Sequence, residues 1–278
     1  MTGGRVWFKV NGPGTLHEAT LVAALGEIVP DLVPDVLAVD PARGWSLSRD
    51  AGPLMRSVAG PEDLWSRWEQ ILVRYAEAQI LLGDHLTELL ATGVHEASPT
   101  TLPDQAAALL DELGRLPVDQ GGLSADEVDA VSNLLPAYGR WCAELADSGI
   151  PDSLQHDDLH SANICWPGSS LAARIIDWGD ASIGFPLGTM LCTMNSISHY
   201  AGTGLDDPRV LSVRDAYLEP FTRFAERIEL VRYVDLARRT GCVARALSYR
   251  AALCGEPIST HVDQDFPVCG WFLEILEP

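Results

Sequence analysis

Two short stretches concentrate the residues able to do chemistry: Leu154-Gln155-His156-Asp157-Asp158-Leu159-His160-Ser161-Ala162-Asn163 and Ile175-Ile176-Asp177-Trp178-Gly179-Asp180. His156-x-Asp158-x-x-x-x-Asn163 has the spacing of a phosphoryl-transfer catalytic loop, and Asp177-x-Gly179 that of the metal-binding segment that follows such a loop. Found together and in that order, the motifs are far more specific than either alone. They suit transfer of a γ-phosphoryl group, whose loose transition state asks a protein mainly to position reactants and neutralise phosphate charge. Asp158, with an ordinary aspartate pKa of about 4, is ionised at neutral pH and can accept a hydrogen bond from an acceptor hydroxyl. Asp177 and Asn163 supply a carboxylate and an amide oxygen, hard ligands suited to Mg2+, with phosphate oxygens and water completing the shell.

A zinc reading competes with this one. His156 and His160 lie four apart and on a helix would share a face, but Asp157 stands where the H-E-x-x-H motif has glutamate. His156 is expected to brace its loop by hydrogen bonding a backbone carbonyl. Asp157 can equally contact a cationic substrate or cap its own backbone.

The elements that must position these residues are legible in outline. Arg5-Val6-Trp7-Phe8-Lys9-Val10 reads as a strand ending at the breaker Asn11-Gly12-Pro13-Gly14. From Thr15 apolar residues recur at helical spacing to Ile28, with Glu18 in the first turns and Pro30 closing the run. Two strands, 36–39 and 45–48, flank a turn at 40–44, and Asp50-Ala51-Gly52-Pro53 reads as a linker. Beyond Pro61 helical stretches are predicted over 62–91, 103–113, 125–146, 207–224, 228–253 and 262–276. Strand candidates at 163–166 and 173–176 form a small hairpin that presents Asn163 and Asp177 together. The fold class is therefore α+β with two lobes: residues 1–52, strand-rich, and residues 53–278, helical.

Composition bounds the rest. With 278 residues, 47% of them hydrophobic, the chain can bury a full core. A formal net charge of -20 argues against nucleic acid as a partner, because phosphate neutralisation needs a basic surface. The six cysteines lie far apart without a C-x-x-C pair and are expected to be buried free thiols. No basic segment followed by an apolar run opens the chain and no apolar stretch reaches membrane-spanning length, so no membrane association is expected and the location is expected to be cytoplasmic.

The segment from Leu154 to Leu187 resembles the aminoglycoside phosphotransferase and choline kinase-like family, part of the protein-kinase-like fold. The resemblance implies that Asp158 is the catalytic base or hydroxyl-orienting group and that Asn163 and Asp177 hold magnesium on the phosphates of ATP or GTP. It implies further that Lys9 contacts the α and β phosphates and pairs with Glu18, and that Leu47, Ser48, Arg49 and Asp50 fall at the adenine-binding hinge. A small-molecule acceptor is implied, an aminoglycoside or another cationic antibiotic or metabolite; chain position and charge alone make Asp180, Asp263, Asp265 and Glu274 candidate acidic contacts. Members of the family carry two more strands and a nucleotide-covering loop before the lysine strand, whereas eight residues precede Lys9 here. A misplaced start or a truncation is therefore expected. His156-Asp157-Asp158 replaces the family's His-Gly-Asp and Phe185-Pro186 its Asp-Pro, both expected as tolerated variants. The alternative is a catalytically silent kinase-like module that only binds a small molecule.

Overall fold

The computed structural model describes residues 4–60, 62–258 and 267–277. Strand β1 (Val6–Val10) is followed by helix α1 (His17–Ile28), then β2 (Val36–Asp40) and β3 (Trp45–Arg49). The three strands form an antiparallel sheet in the order β1-β3-β2, with Lys9 opposite Ser46 and Trp7 opposite Ser48. Alternation along β1 sends Trp7 and Lys9 to one face, and both line the cavity beneath the sheet. Gly44, in the left-handed region at φ 65°, makes the tight turn between β2 and β3.

Residues 50–54 lead into the larger, helical lobe. It comprises α2 (Met55–Val58), α3 (Leu64–Leu82), α4 (Leu86–Leu90), β4 (His95–Ala97), α5 (Leu102–Arg115), α6 (Ala125–Ala146), β5 (Ser153–Gln155), β6 (Ile164–Cys165), β7 (Arg174–Ile175), β8 (Ser182–Gly184), α7 (Met190–Ala201), α8 (Pro208–Leu218), α9 (Arg227–Ala252) and α10 (Pro267–Leu273). Local chemistry sets several boundaries. Ser124 and Glu127 form a reciprocal capping box at the start of α6. The Asp207 side chain accepts from the Arg209 N–H at the start of α8, with Pro208 in the first turn where its missing N–H costs nothing.

Two apolar cores hold the lobe together. One joins α1, α3 and α8 to the catalytic segment through Leu21, Leu25, Trp68, Tyr75, Trp178 and Tyr217. The other joins α5, α6, α9 and α10 through Leu109, Leu113, Tyr138, Val243 and Phe272. Tyr75, Trp178 and Tyr217 are wholly buried, so the catalytic segment rests on the first core.

Several sequence expectations need correction. The helix expected over 62–91 ends at Leu82, and Gly83 opens a tighter turn before the short α4. A side chain at Gly83 would stand 3.2 Å from the Asp152 carbonyl, so the break coincides with a close backbone approach. The helix expected over 207–224 is α-helical only to Leu218 and continues as a 3-10 turn containing Pro220. Helix α7 and the small sheet β4-β8-β5, with β4 parallel and β5 antiparallel to β8, have no counterpart among the sequence-predicted elements. All six thiols are free, but only Cys142, Cys165 and Cys242 are buried; Cys192 and Cys269 are half-buried and Cys254 is exposed. Among the described residues no helix is long and apolar enough to cross a membrane.

Candidate active site

A cleft of about 450 Å³ separates the three-stranded sheet from the β6-β7 hairpin, lined by Trp7, Lys9, Ser48, Asp50, Leu54 and Asp177 among others. A second cavity of about 280 Å³ shares Lys9, Glu18 and Asp177 with it and reaches Asp158, Gly179 and Asp180. The two volumes meet at Lys9.

The Lys9 ammonium donates to Glu18 Oε1 at 2.6 Å and to Asp177 Oδ1 at 2.5 Å, tying β1, α1 and the segment after β7 to one point. Glu18 is buried, and its Oε1 also accepts the Trp178 N–H at 3.0 Å. Burial alone would lower the Lys9 pKa, but the charges of Glu18 and Asp177 outweigh it and hold the group above the ordinary lysine value. Lys9 is also the only lysine in the sequence, every other permanent cation being arginine. A compact ammonium suits a point contact with phosphate, where arginine's planar fork has different geometry. Gly179 permits the close packing here, since a Cβ would stand 3.2 Å from Glu18 Oε2.

The catalytic-loop segment starts where β5 ends. The His156 N–H donates to the Tyr75 hydroxyl at 2.9 Å, and the ring packs against Trp178 with centroids 4.8 Å apart. Its Nε2 lies 2.9 Å from the Ile176 carbonyl, while Nδ1 lies 3.3 Å from the Asp158 N–H. This pairing requires the tautomer protonated on Nε2, which makes His156 the brace expected of it. Burial lowers its pKa. Asp157 has a left-handed φ of 59°, which explains why glycine is at home at this position in the resembled family. Aspartate is among the few other residues that enter this region at modest cost. Its carboxylate accepts from the Ser182 hydroxyl, so Asp157 neither caps its own backbone nor faces the cavity. Burial pushes its carboxyl up to about 6.

Asp158 is held on both oxygens. Oδ1 is 3.1 Å from Arg245 Nη2, and Oδ2 is 3.4 Å from both His160 Nε2 and Asn163 Nδ2. Burial would raise its pKa, but the hydrogen bond with His160 and the Arg245 charge keep it below the ordinary aspartate value. The Asn163 amide nitrogen donates to the Asp158 carbonyl at 2.9 Å, and among the described residues no group donates to its amide oxygen. Ile164 pairs with Ile175 across the β6-β7 hairpin, and the Ile176 N–H donates to the Asn163 carbonyl at 2.9 Å, so the hairpin sets Asn163 beside Asp177. Asp177 takes a left-handed φ of 69° and keeps its carboxylate half exposed to both cavities. An amide oxygen beside an open carboxylate fits a magnesium ion that takes its other ligands from phosphate and water. The zinc reading fails: His156 and His160 do not lie on a helix, both engage other partners, and among the described residues no three His, Cys, Asp or Glu side chains could hold a metal.

A sequence profile described as the Phosphotransferase enzyme family matches residues 13–188. This chain belongs to that family. Solved structures similar to this phosphotransferase share its two-lobed, kinase-like fold at low identity. An ethanolamine kinase from Plasmodium vivax is 13% identical, with 98% of this chain and 75% of that one covered at a TM-score of 0.60. A macrolide 2'-phosphotransferase from Brachybacterium faecium is 17% identical, with 99% and 86% covered at 0.57. An aminoglycoside phosphotransferase from Streptomyces rimosus, in complex with ADP and streptomycin, is 17% identical, with 85% and 86% covered at 0.51. No curated protein matches the chain.

The phosphotransferase places its other sequence-predicted residues as follows. Ser48 lines the cleft next to Asp50, whose Oδ1 accepts the Trp7 indole N–H at 3.0 Å and the Gly52 N–H at 3.3 Å. The Asp50 side chain therefore shapes the turn after β3; Leu47 and Ser48 pair with strands on both sides, and the Arg49 and Asp50 N–H groups donate to the Asp35 and Arg5 carbonyls, so those two N–H groups are not open to a base as the resemblance implied. Asp180, expected to meet a cationic acceptor, is engaged by Arg245 Nη1 at 2.8 Å. Glu274 is exposed in the terminal 3-10 turn, and Asp263 and Asp265 lie outside the described residues. Arg245 escaped the sequence reading altogether: it sits 87 residues from Asp158, in a helix with no motif around it.

Proposed function

We propose that this phosphotransferase moves the γ-phosphoryl of ATP or GTP to a hydroxyl of a small molecule. The observation that carries the reading is the convergence of Lys9, Glu18 and Asp177 within 2.6 Å contacts at the junction of two cavities, the second of which contains Asp158. In this reading residues 1–52 carry the nucleotide and residues 53–278 the catalytic loop and the acceptor. The base lies under the sheet against Leu54 and Ile175, alongside Ala51 and Gly52 of the linker. Lys9, oriented by Glu18, meets the α and β phosphates.

Magnesium held by Asp177 and the Asn163 amide oxygen would neutralise charge on the phosphate oxygens. Asp158 accepts the hydrogen bond of the acceptor hydroxyl and orients it for in-line attack; as the new O–P bond forms, the bond from the γ-phosphorus to the β–γ bridging oxygen breaks, ADP or GDP leaves, and the hydroxyl proton passes to the Asp158 carboxylate. Its low pKa keeps it ionised at neutral pH. The acceptor is a small hydroxyl compound of the kind named for the structural neighbours: an amino alcohol, a macrolide or an aminoglycoside. The test is calorimetric titration of the chain with ATP and GTP, with and without magnesium, followed by transfer assays on a panel of those three acceptor classes. Magnesium-dependent binding and transfer are expected. Absence of nucleotide binding would overturn the proposal in favour of a silent binding module.

A further inference from the structure

Arg245 is buried, 4% exposed, yet its guanidinium spans two carboxylates that both face the inner cavity. Nη2 donates to Asp158 Oδ1 at 3.1 Å and Nη1 to Asp180 Oδ2 at 2.8 Å. The fork is itself gripped. The guanidinium carbon lies 4.9 Å from the Tyr249 ring centroid and 5.8 Å from that of Trp271, in cation–π range of both. One turn along α9, Ser248 donates to the Asp180 carbonyl at 3.4 Å, so the same helix touches Asp180 twice.

We propose that Arg245 is the positioning residue for Asp158, fixing the rotation of the carboxylate that orients the acceptor hydroxyl; the inference rests on the role given to Asp158 above. A carboxylate on a two-carbon side chain turns freely unless both oxygens are engaged. His160 and Asn163 reach Oδ2 only at 3.4 Å, whereas Arg245 reaches Oδ1 more closely and from a 26-residue helix packed against the second core. The planar guanidinium carries its donors at fixed angles, so anchoring one arm on Asp180 and the group itself against two aromatic rings determines where the other arm holds Asp158. Asp180 thereby becomes the back anchor of the clamp, and its charge is already balanced within the protein.

The test compares Arg245→Met, Arg245→Lys and Asp158→Asn in the full chain with magnesium and ATP. Transfer is read to the best acceptor of the panel, or to water as slow ATP hydrolysis, and each melting temperature is recorded. In Arg245→Met, kcat should fall about a hundredfold, the scale on which misplacement of a reacting group acts, while the nucleotide KM stays within about twofold. Arg245→Lys should recover roughly a tenth of the parent rate, because an ammonium cannot fork to both carboxylates. A merely structural role would lower the melting temperature without splitting kcat from KM. The proposal is overturned if Arg245→Met keeps a rate within about threefold of the parent, if kcat and nucleotide KM move together, or if lysine rescues nothing. Should Arg245→Met fail to fold, Asp180→Ala, which keeps the guanidinium but removes its anchor, must still lower kcat severalfold at constant KM; an unchanged kcat there overturns the clamp. Full turnover in Asp158→Asn refutes instead the role of Asp158, and a parent with neither transfer nor hydrolysis overturns both readings.

Discussion

Replacing Asp157 with asparagine tests how the catalytic loop is anchored, separately from its chemistry. The carboxyl is buried, and burial raises its pKa from the ordinary 3.8 to about 6, against the opposing effects of the Ser182 hydrogen bond and the Arg245 charge. At about 1.4 kcal/mol per pKa unit, ionising it in the folded protein costs about 3 kcal/mol. The folded pKa lies above the unfolded one, so between about pH 4 and pH 6 the native state holds more protons than the unfolded chain. Stability from this group is therefore full below pH 4 and lost as pH rises through 6. Asparagine has nearly the same shape, tolerates the left-handed backbone at this position, and can accept the Ser182 hydroxyl through its amide oxygen. Urea unfolding of parent and Asp157→Asn at pH 4, 5, 6 and 7.5 should show the two nearly equal at pH 4. The variant should become more stable by up to about 3 kcal/mol at pH 7.5, with titrations elsewhere in the chain cancelling in the difference. A difference that does not change with pH, or a variant weaker at pH 7.5, would refute the reasoning.

Four further outcomes follow from the same geometry. Asp158→Asn should cut phosphoryl transfer by about 10²–10⁴-fold with an unchanged melting temperature, because it removes the accepting charge and little volume; near-normal rates with a true acceptor would count against the assignment. Asp177→Ala should abolish magnesium-dependent nucleotide binding in calorimetry, since the amide of Asn163 alone cannot balance the ion. Because Lys9 is the only lysine, pyridoxal phosphate and borohydride should mark it and the chain's amino terminus alone, and mass spectrometry should show Lys9 protected by magnesium-ATP but not by magnesium alone. Gly14→Ala should lower stability by about 1–3 kcal/mol in thermal unfolding, because its Cβ would stand 2.6 Å from the backbone of Ala252 at the end of α9.

What could be read in the sequence was whatever is encoded locally. Helix α6 carries its own start signal in Ser124 and Glu127, and α1 and the β2-β3 pair announce themselves by period and turn chemistry. The β6-β7 hairpin that sets Asn163 beside Asp177 was legible because both strands flank a Pro-Gly-Ser-Ser turn. The strands β4, β5 and β8 have three residues each, too few to show a period, and exist because they pair across 27 to 87 positions. Helix α7 reads Met-Leu-Cys-Thr-Met-Asn-Ser-Ile-Ser-His-Tyr-Ala, rich in residues of modest helix propensity, and is held by burial of Met190, Leu191, Met194 and Ile197 rather than by local preference. Arg245 follows the same rule: its meaning lies in Asp158 and Asp180, and neither is near it in the chain.

The two aspartates in left-handed conformation show where the fold yields to the chemistry. Among the described residues three non-glycine positions have positive φ: Asp157, Asp177 and Cys254. Cys254 follows the end of α9, where a left-handed residue commonly closes a helix. The other two stand inside the catalytic motifs, each at a cost of order 1 kcal/mol relative to glycine. At Asp157 glycine would serve the backbone as well, and the carboxylate instead adds the Ser182 contact that ties the loop to β8. At Asp177 glycine would serve the backbone better but leave Lys9 without one of its two carboxylates and the cleft without its open oxygen ligand. The strain at Asp157 is thus offset locally by a hydrogen bond. That at Asp177 persists because the Lys9 contact and the hydrogen bond from the neighbouring Trp178 N–H to Glu18 pin the segment on both sides, which holds this carboxylate at the junction of the two cavities.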